Sequence, residues 1–437
     1  MAKFLARRIV TLAVTLFFVS VVVFAVSEIA PGNIAINTLG NTITRAQEES
    51  FNAQNGLDQP ALTRYRRWML GSQSEAQRNI GKPLVRLLNE KTRRQTWWID
   101  EGGELYQHVA LDGETMIRLV RQPDGSTVEV EESDSVWSPD ENGVLHFWGV
   151  ASGLQGGRAA MWIKGQNLEE WNIGKNRWNK SLGAPVSYIP LQKGLLRGDP
   201  GVSFFTRRPV GETLMRRAKH TGILAGLAFT IMMPLALVFG LYAGMNEGKF
   251  ADRFASISSL VATATPEYAS GTFLIVIFSF WLGLVPGAVV ITDDTALFRN
   301  PEMLILPVLT LTLIETGYVL RVTRASMVDV MRTDYIRTAV LKGLPRWQVV
   351  FRHATKNALM APITVIMLHV NWLIGGIVVV ETVFGFPGLG AYILSAALFK
   401  DVYAIEAAAM LLVIIAVTTQ LVADIVYTYL NPRIRYA

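Results

Sequence analysis

Six ionisable residues stand in or beside long apolar runs of this 437-residue sequence: Glu267, Glu315, His369, Glu381, Glu406 and Asp424. Carrying such a group into a membrane is costly, and it usually faces a cavity, a partner or a passing solute. The chemistry open to these residues is therefore recognition, an acidic side chain holding the ammonium of something in transit. Glu267, Glu315, His369, Glu381 and the neighbouring Asn371 are the candidates for lining a passage. The plainer reading is placement at a helix end or packing between helices. For Glu315, in mid-run, both readings stand open.

Bond-breaking chemistry has no comparable foothold. Gly81-Lys82, Gly174-Lys175 and Gly248-Lys249 lack the Ser/Thr and the upstream glycine of a phosphate loop, and neither H-E-x-x-H nor G-x-S-x-G occurs. The five histidines are scattered and there is no cysteine. The sequence thus offers no metal cluster, disulfide framework or thiolate site, and no cofactor is expected. The chain reads as a non-enzyme.

A second constellation is mechanical. Thr333 can cap a helix that opens with Asp334 at the positive dipole end. Lys342 falls in its last turn, Gly343 suits a left-handed stop, and Pro345 blocks continuation. A second helix can restart at Arg346 and run toward Asn357. Ile336, Val340, Leu344, Trp347 and Phe351 recur every three to four residues, which predicts one apolar flank, with Arg337 and Lys342 elsewhere. A ten-residue helix is marginal alone in water. Either the membrane surface or a partner protein must hold it.

These residues must be positioned by membrane helices. Lys3, Arg7 and Arg8 precede an apolar run from Ile9 to about Val26, read as an uncleaved first helix rather than a signal peptide. Further runs lie at about Gly222–Met245, Pro266–Val285, Met303–Leu320, Pro362–Val383 and Ala404–Tyr429, each close to the ~20 residues that cross a bilayer. Pro234 and Pro307 fall inside two of them and can kink them. Between Arg321 and Lys356 basic residues far outnumber acidic ones, which assigns that loop to the cytoplasm. With six spans, both termini are then cytoplasmic and 31–218 lies outside. The net charge of +6 sits mostly at the flanks of apolar runs, so nucleic acid is not an expected partner.

The outer segment has its own pattern. Arg64–Leu70 and Leu84–Arg94 read as helices. From about Thr96 to Gly174, turn pairs at Gly102-Gly103, Asp112-Gly113, Asp124-Gly125 and Asn142-Gly143 separate strand-like runs such as Thr127–Glu131, which predicts a small meander or sandwich. Seven of the eleven tryptophans (97, 98, 137, 148, 162, 171 and 178) lie here, and core packing is the expected use of most of them.

Asp334-Tyr335-Ile336-Arg337-Thr338-Ala339, Lys342-Gly343-Leu344, Arg352-His353-Ala354 and Asn357-Ala358 together resemble the coupling segment of ABC-importer permeases, in the version of dipeptide, oligopeptide and nickel permeases. The resemblance extends to Asn55–Pro60, Tyr65–Trp68, Gly198-Asp199, Arg208–Val210, Val380–Phe384, Phe386–Gly390, Asp424 and Asn431–Tyr436. It implies a bacterial inner-membrane protein with the type I permease fold. Residues 1–30 would be the first transmembrane helix, 31–218 a periplasmic region with a β-rich insertion at about 72–184, and 219–437 the permease core, with coupling at about 332–356. It further implies partners: a second, related permease (a heterodimer is favoured), two cytoplasmic ATPase subunits and an external solute-binding protein. The ATPases would grip the Thr333–Gly343 helix. In the family, Trp68 connects almost directly to Gly198-Asp199; the insertion departs from that pattern, and its role does not carry over. The alternative class is a membrane-tethered receptor or scaffold whose β-domain binds a partner.

Overall fold

The computed structural model describes residues 2–29, 32–89, 93–110, 115–152, 157–164, 167–172, 177–182, 185–290 and 296–430. The chain divides into two compact units. One comprises Met1–Phe17, Arg216–Leu394 and Leu411–Ala437, the other Phe18–Met215 and Ser395–Met410. The Asp112-Gly113 turn and the Asn431–Tyr436 motif lie outside the described residues.

The first unit is helical. Among the described residues four helices are long and apolar enough to cross a membrane: Val10–Ile29, Val210–Met245, Pro301–Met331 and Val402–Ala423. A fifth arises if Phe250–Ala264 and Glu267–Trp281, bent by 107° at the Thr265-Pro266 break, count as one span. The Met360–Val383 helix runs 24 residues, about 36 Å at 1.5 Å per residue. The apolar run expected over Pro266–Val285 is therefore half of a bent pair. Its final turns, Ile275–Trp281, relax into π-helix. The basic stretch beginning at Arg321 is not loop at first, because the Ile305 helix continues to Met331. Pro307 stands third in that helix, where its missing N–H is an orphan anyway.

The packing that fixes this unit depends on small residues. Gly240 and Gly244, four apart on one helix face, press on the Ile305–Met331 helix; a Cβ at either would lie 2.6 Å from the Cβ of Thr323 or Met327. Small residues at this spacing let membrane helices approach closely. Gly317 on the same partner helix sits against the Ser259 carbonyl of Phe250–Ala264, where a Cβ would stand 2.8 Å away. Asp252 and Arg324 clasp the two helices through paired 2.8 Å bonds.

The second unit is α+β. Thr44 and Gln47 form a capping box at the start of the Arg45–Asn55 helix, and Gly56 ends it at φ 66°. Ala61–Leu70 covers the predicted Arg64–Leu70 helix. The predicted Leu84–Arg94 helix is not formed. Leu84–Leu88 is strand β1, antiparallel to β2 (Gln95–Glu101) with Leu84 opposite Ile99. Its apolar residues gain more by pairing with a Trp-rich strand than by local helix propensity. β3 (Glu104–Ala110), β4 (Met116–Arg121) and β5 (Thr127–Glu131) complete a five-stranded meander. β6 (Ser138–Pro139), β7 (Leu145–Val150) and β8 (Arg158–Ile163) follow, then the β9–β10 hairpin (Asn167–Asn172, Arg177–Leu182), and β11 (Pro185–Pro190) joins β8, β7 and β6 in a second sheet. Glycines with positive φ at 102, 103, 125 and 143 make the turns where turn pairs were read.

Trp97, Trp98, Trp137 and Trp162 are buried in this β-region, as the core reading requires. Burial of each contributes about 2–3 kcal/mol from apolar area alone. Trp148 packs partly against the core; the side chains of Trp171 and Trp178 lie outside the described residues.

The insertion leaves and re-enters the chain at one narrow neck. The Ser72 hydroxyl donates to the Pro190 carbonyl, and the Ser72 and Gln73 N–H groups donate to the Gln192 carbonyl at 3.0 and 3.3 Å. Gly71 and Gly194 cross so closely that a Cβ on Gly194 would lie 2.3 Å from the Gly71 nitrogen. Both have positive φ, 87° and 94°, so glycine is required twice over.

Candidate functional site

The segment between the Met331 and Met360 ends of two long helices forms as read. Its helix spans Asp334–Leu341, flanked by Thr333 and Lys342 as caps. Gly343 is left-handed at φ 76°, and its N–H bonds the Val340 carbonyl at 3.0 Å. Thr333 does not cap through its side chain, since its hydroxyl turns back to the Val330 carbonyl. The second helix is not regular. Arg346–Gln348 runs into a π-turn over Val349–Ala354 and then Thr355–Ala358, a widening often found at functional positions.

The faces differ from the predicted single flank. Ile336 and Ala339 are buried with Met327, Val349, Val350, Ala354 and Ala358 in one cluster that Leu344 adjoins. Val340, Leu341, Trp347 and Phe351, by contrast, are 58, 79, 64 and 71% exposed. The predicted flank splits within the first helix itself, where Ile336 is buried and Val340, four residues on, is exposed. One side anchors the segment and the other presents apolar side chains outward. Asp334, Tyr335, Arg337, Lys342, Gly343 and Arg352 are exposed as well, and His353 is half-buried.

Polar contacts fix this segment to neighbouring helices. Arg332 pairs with Glu247 at 2.7 Å, and Arg346 donates to the Met245 carbonyl at 3.2 Å. The Asn357 amide donates to the Tyr335 hydroxyl at 2.9 Å.

The passage candidates occupy different settings. Glu267 opens its helix directly after Pro266 and is half-buried. Glu315 lies mid-helix and is buried. His369 and Asn371 fall on the Met360–Val383 helix, with side chains outside the described residues, as is that of Asp424. Glu406, fully buried, accepts from the Ser27 hydroxyl at 2.9 Å in the second unit.

Glu381 is the most completely engaged of them. It is wholly buried and accepts from the Thr221 hydroxyl at 2.5 Å and from the Ala391 N–H at 3.0 Å. Thr221 in turn accepts from the Leu389 N–H at 2.7 Å, and His220 Nδ1 bonds the Pro387 carbonyl at 3.0 Å. The Glu381 carboxylate thus caps the Leu389–Leu398 helix from another element, and Phe386–Gly390 folds around it. Sequence reasoning missed Thr221 and His220 because nothing local marks them. The Asp252–Arg324 clasp was missed too; its only signal was opposite charge in two apolar stretches.

Residues 236–436 match the family described as binding-protein-dependent transport system inner membrane component, and residues 1–83 match the N-terminal model of binding-protein-dependent transport system membrane components. The probable peptide ABC transporter permease protein y4tP of Sinorhizobium fredii is 33% identical over 288 residues, covering 65% of this chain and 91% of that one. The oligopeptide transport system permease protein AppB of Bacillus subtilis is 32% identical, covering 57% of this chain and 80% of its own. The dipeptide transport system permease protein DppB of Escherichia coli is 30% identical, covering 62% and 85%. With its apolar helices and these matches, the chain belongs to the inner-membrane components of binding-protein-dependent transport systems, as a permease of the peptide ABC-importer type.

Proposed function

We propose that this chain forms half of a solute pathway and that its Asp334–Leu341 helix, with the turn that follows, is the point at which cytoplasmic ATPase subunits grip it. The observation that carries this reading is the two-sided segment: Ile336 and Ala339 anchored in the helical core, Val340, Leu341, Trp347 and Phe351 bare on the outside. A bare apolar rim on an anchored lever is what a partner protein needs to push. Arg337 and Lys342 beside it offer contacts to acidic groups of that partner. ATP hydrolysis then belongs to the partner, and this chain converts subunit closure into a shift between inward- and outward-facing states.

In this reading the chain has six spans, the type I permease fold and cytoplasmic ends. Residues 31–218 are periplasmic, and a second, related permease completes the pathway. A periplasmic binding protein delivers a peptide or similar small solute. Glu315 is the candidate for holding the solute's ammonium, with Glu267, His369 and Asn371 as further lining positions, whereas Glu381 positions the loop before Leu389. Family membership favours this over a tethered scaffold.

The test is a Leu341→Glu, Phe351→Glu chain reconstituted with its ATPase subunits in liposomes. ATP-dependent uptake should be lost while the isolated permease keeps its thermal stability. Uptake at the unaltered rate, or surface labelling that finds Leu341 on the periplasmic side, would refute the reading.

A further inference from the structure

A buried cation in the second unit has no part in the transport reading. Arg158, the first residue of β8, is 7% exposed. It borders a cavity of about 270 Å³ that also takes in the Arg45–Asn55 helix and the 199–207 loop. Its Nη1 donates to the side-chain amide oxygen Oε1 of Gln54, and among the described residues no carboxylate stands within ion-pair distance of it. Burying a guanidinium is expensive unless a counter-charge or several acceptors replace its water, and one neutral amide oxygen answers few of its five N–H groups. Burial pushes its pKa down to about 10, the mark of a cation short of counter-charge.

Among the described residues, the one acid in the cavity wall is already committed. Asp199 pairs with Arg86 at 2.6 Å and accepts the Lys193 N–H at 2.8 Å. A second cation, the exposed Arg207, stands at the open edge. Part of the remaining wall is aromatic: Phe204 lies stacked on Tyr403 with centroids 5.2 Å apart, and Phe51 is 6.1 Å from Phe204. A positive end and an apolar end, in a space of this size, suit a solute that is an anion at one end only.

We propose that this cavity binds a small organic carboxylate of amino-acid size, its carboxylate on the Arg158 guanidinium and its apolar body against Phe51, Phe204 and Tyr403. Arg158 and the Gln95 side of the wall belong to the insertion, and the aromatic side does not, so the site exists only where the insertion does. The proposal does not rest on the coupling reading, since no residue of the 333–357 segment contributes to it.

The full chain, purified in detergent, would be titrated calorimetrically with N-acetylleucine, with its neutral amide, and with inorganic phosphate. Saturable binding of N-acetylleucine at least about ten-fold tighter than either of the others is expected, tenfold being 1.4 kcal/mol. Arg158→Gln should remove that preference. Should that variant not fold, Gln54→Glu supplies an internal carboxylate to Arg158 and should weaken N-acetylleucine binding about ten-fold or more. Equal affinity for the amide, equal affinity for phosphate, or unaltered binding in Gln54→Glu would each overturn the proposal.

Discussion

The Glu381 carboxylate and the Gly388 backbone meet so closely that a Cβ on Gly388 would stand 1.8 Å from Oε1. Even alanine cannot be accommodated there without moving a fully buried carboxylate off the Thr221 hydroxyl and the Ala391 N–H. Gly388→Ala should therefore cost about 3 kcal/mol, at the upper end for overpacking. Gly385, nearby, is held only by its φ of 64° and has open space around it. Gly385→Ala should cost about 1–2 kcal/mol. Thermal unfolding of the two purified variants separates contact from conformation.

The proposed coupling role of the 333–357 segment predicts a division of labour between its two faces. Ile336 is 2% exposed, so Ile336→Ala should lower stability by about 2–4 kcal/mol. Leu341, at 79%, should tolerate alanine within about 0.5 kcal/mol. ATP-driven uptake should nonetheless fall in Leu341→Ala when the ATPase subunits are present. Parallel melting curves and uptake rates check both halves.

Asp252 is 5% exposed on its side chain and holds Arg324 through two bonds across 72 residues of sequence. Asp252→Asn leaves the guanidinium half answered and should cost about 2 kcal/mol, less than a fully buried pair because Arg324 remains 30% exposed. Arg324→Lys gives up the two-pronged geometry and should recover only part. A double-mutant cycle on unfolding midpoints measures the coupling.

The β-region should sense acid through His108. Its ring lies edge-on to Tyr106 and Phe147, 5.3 and 4.7 Å away, and a Cβ on Gly149 would stand 2.3 Å from its Nδ1. Burial pulls its pKa down to about 3. Unfolded, the ring takes a proton near pH 6.5; folded, it refuses one until about 3. Its share of stability is thus complete above pH 6.5 and is lost as pH falls from there toward 3. Tryptophan-fluorescence melts should drop steeply across that window. His108→Met should flatten the part of the drop that His108 causes.

What the sequence made legible was local. Thr333, Gly343 and Pro345 announce a helix and its stop within thirteen residues, and the Asn142-Gly143 turn needs no distant help. The structure departs wherever a residue answers to one far away. Leu84, Leu87 and Leu88 space like a helix face but pair with Gln95–Ile99. The Phe250–Ala264 helix was hidden because Asp252 and Arg253 interrupt its apolar run, and Asp252 finds its counter-charge in Arg324, 72 positions on. Glu381 stood out as an ionisable residue in an apolar run, yet its loop-holding contacts depend on Thr221, 160 positions earlier. The Arg158 cavity draws its walls from stretches of chain as far apart as Thr38 and Tyr403, a convergence that no spacing rule detects.

The pinch at Gly71 and Gly194 gives the protein a socket. Because the two backbones already touch there, whatever lies between them is a closed loop whose length adds little to the cost of joining its ends. Swapping residues 73–191 for a short Gly-Ser bridge, or for a different compact module with adjacent termini, asks nothing new of the flanking chain. The same opening would accept a fluorescent reporter on the face where the insertion now sits, fixed at two points rather than one.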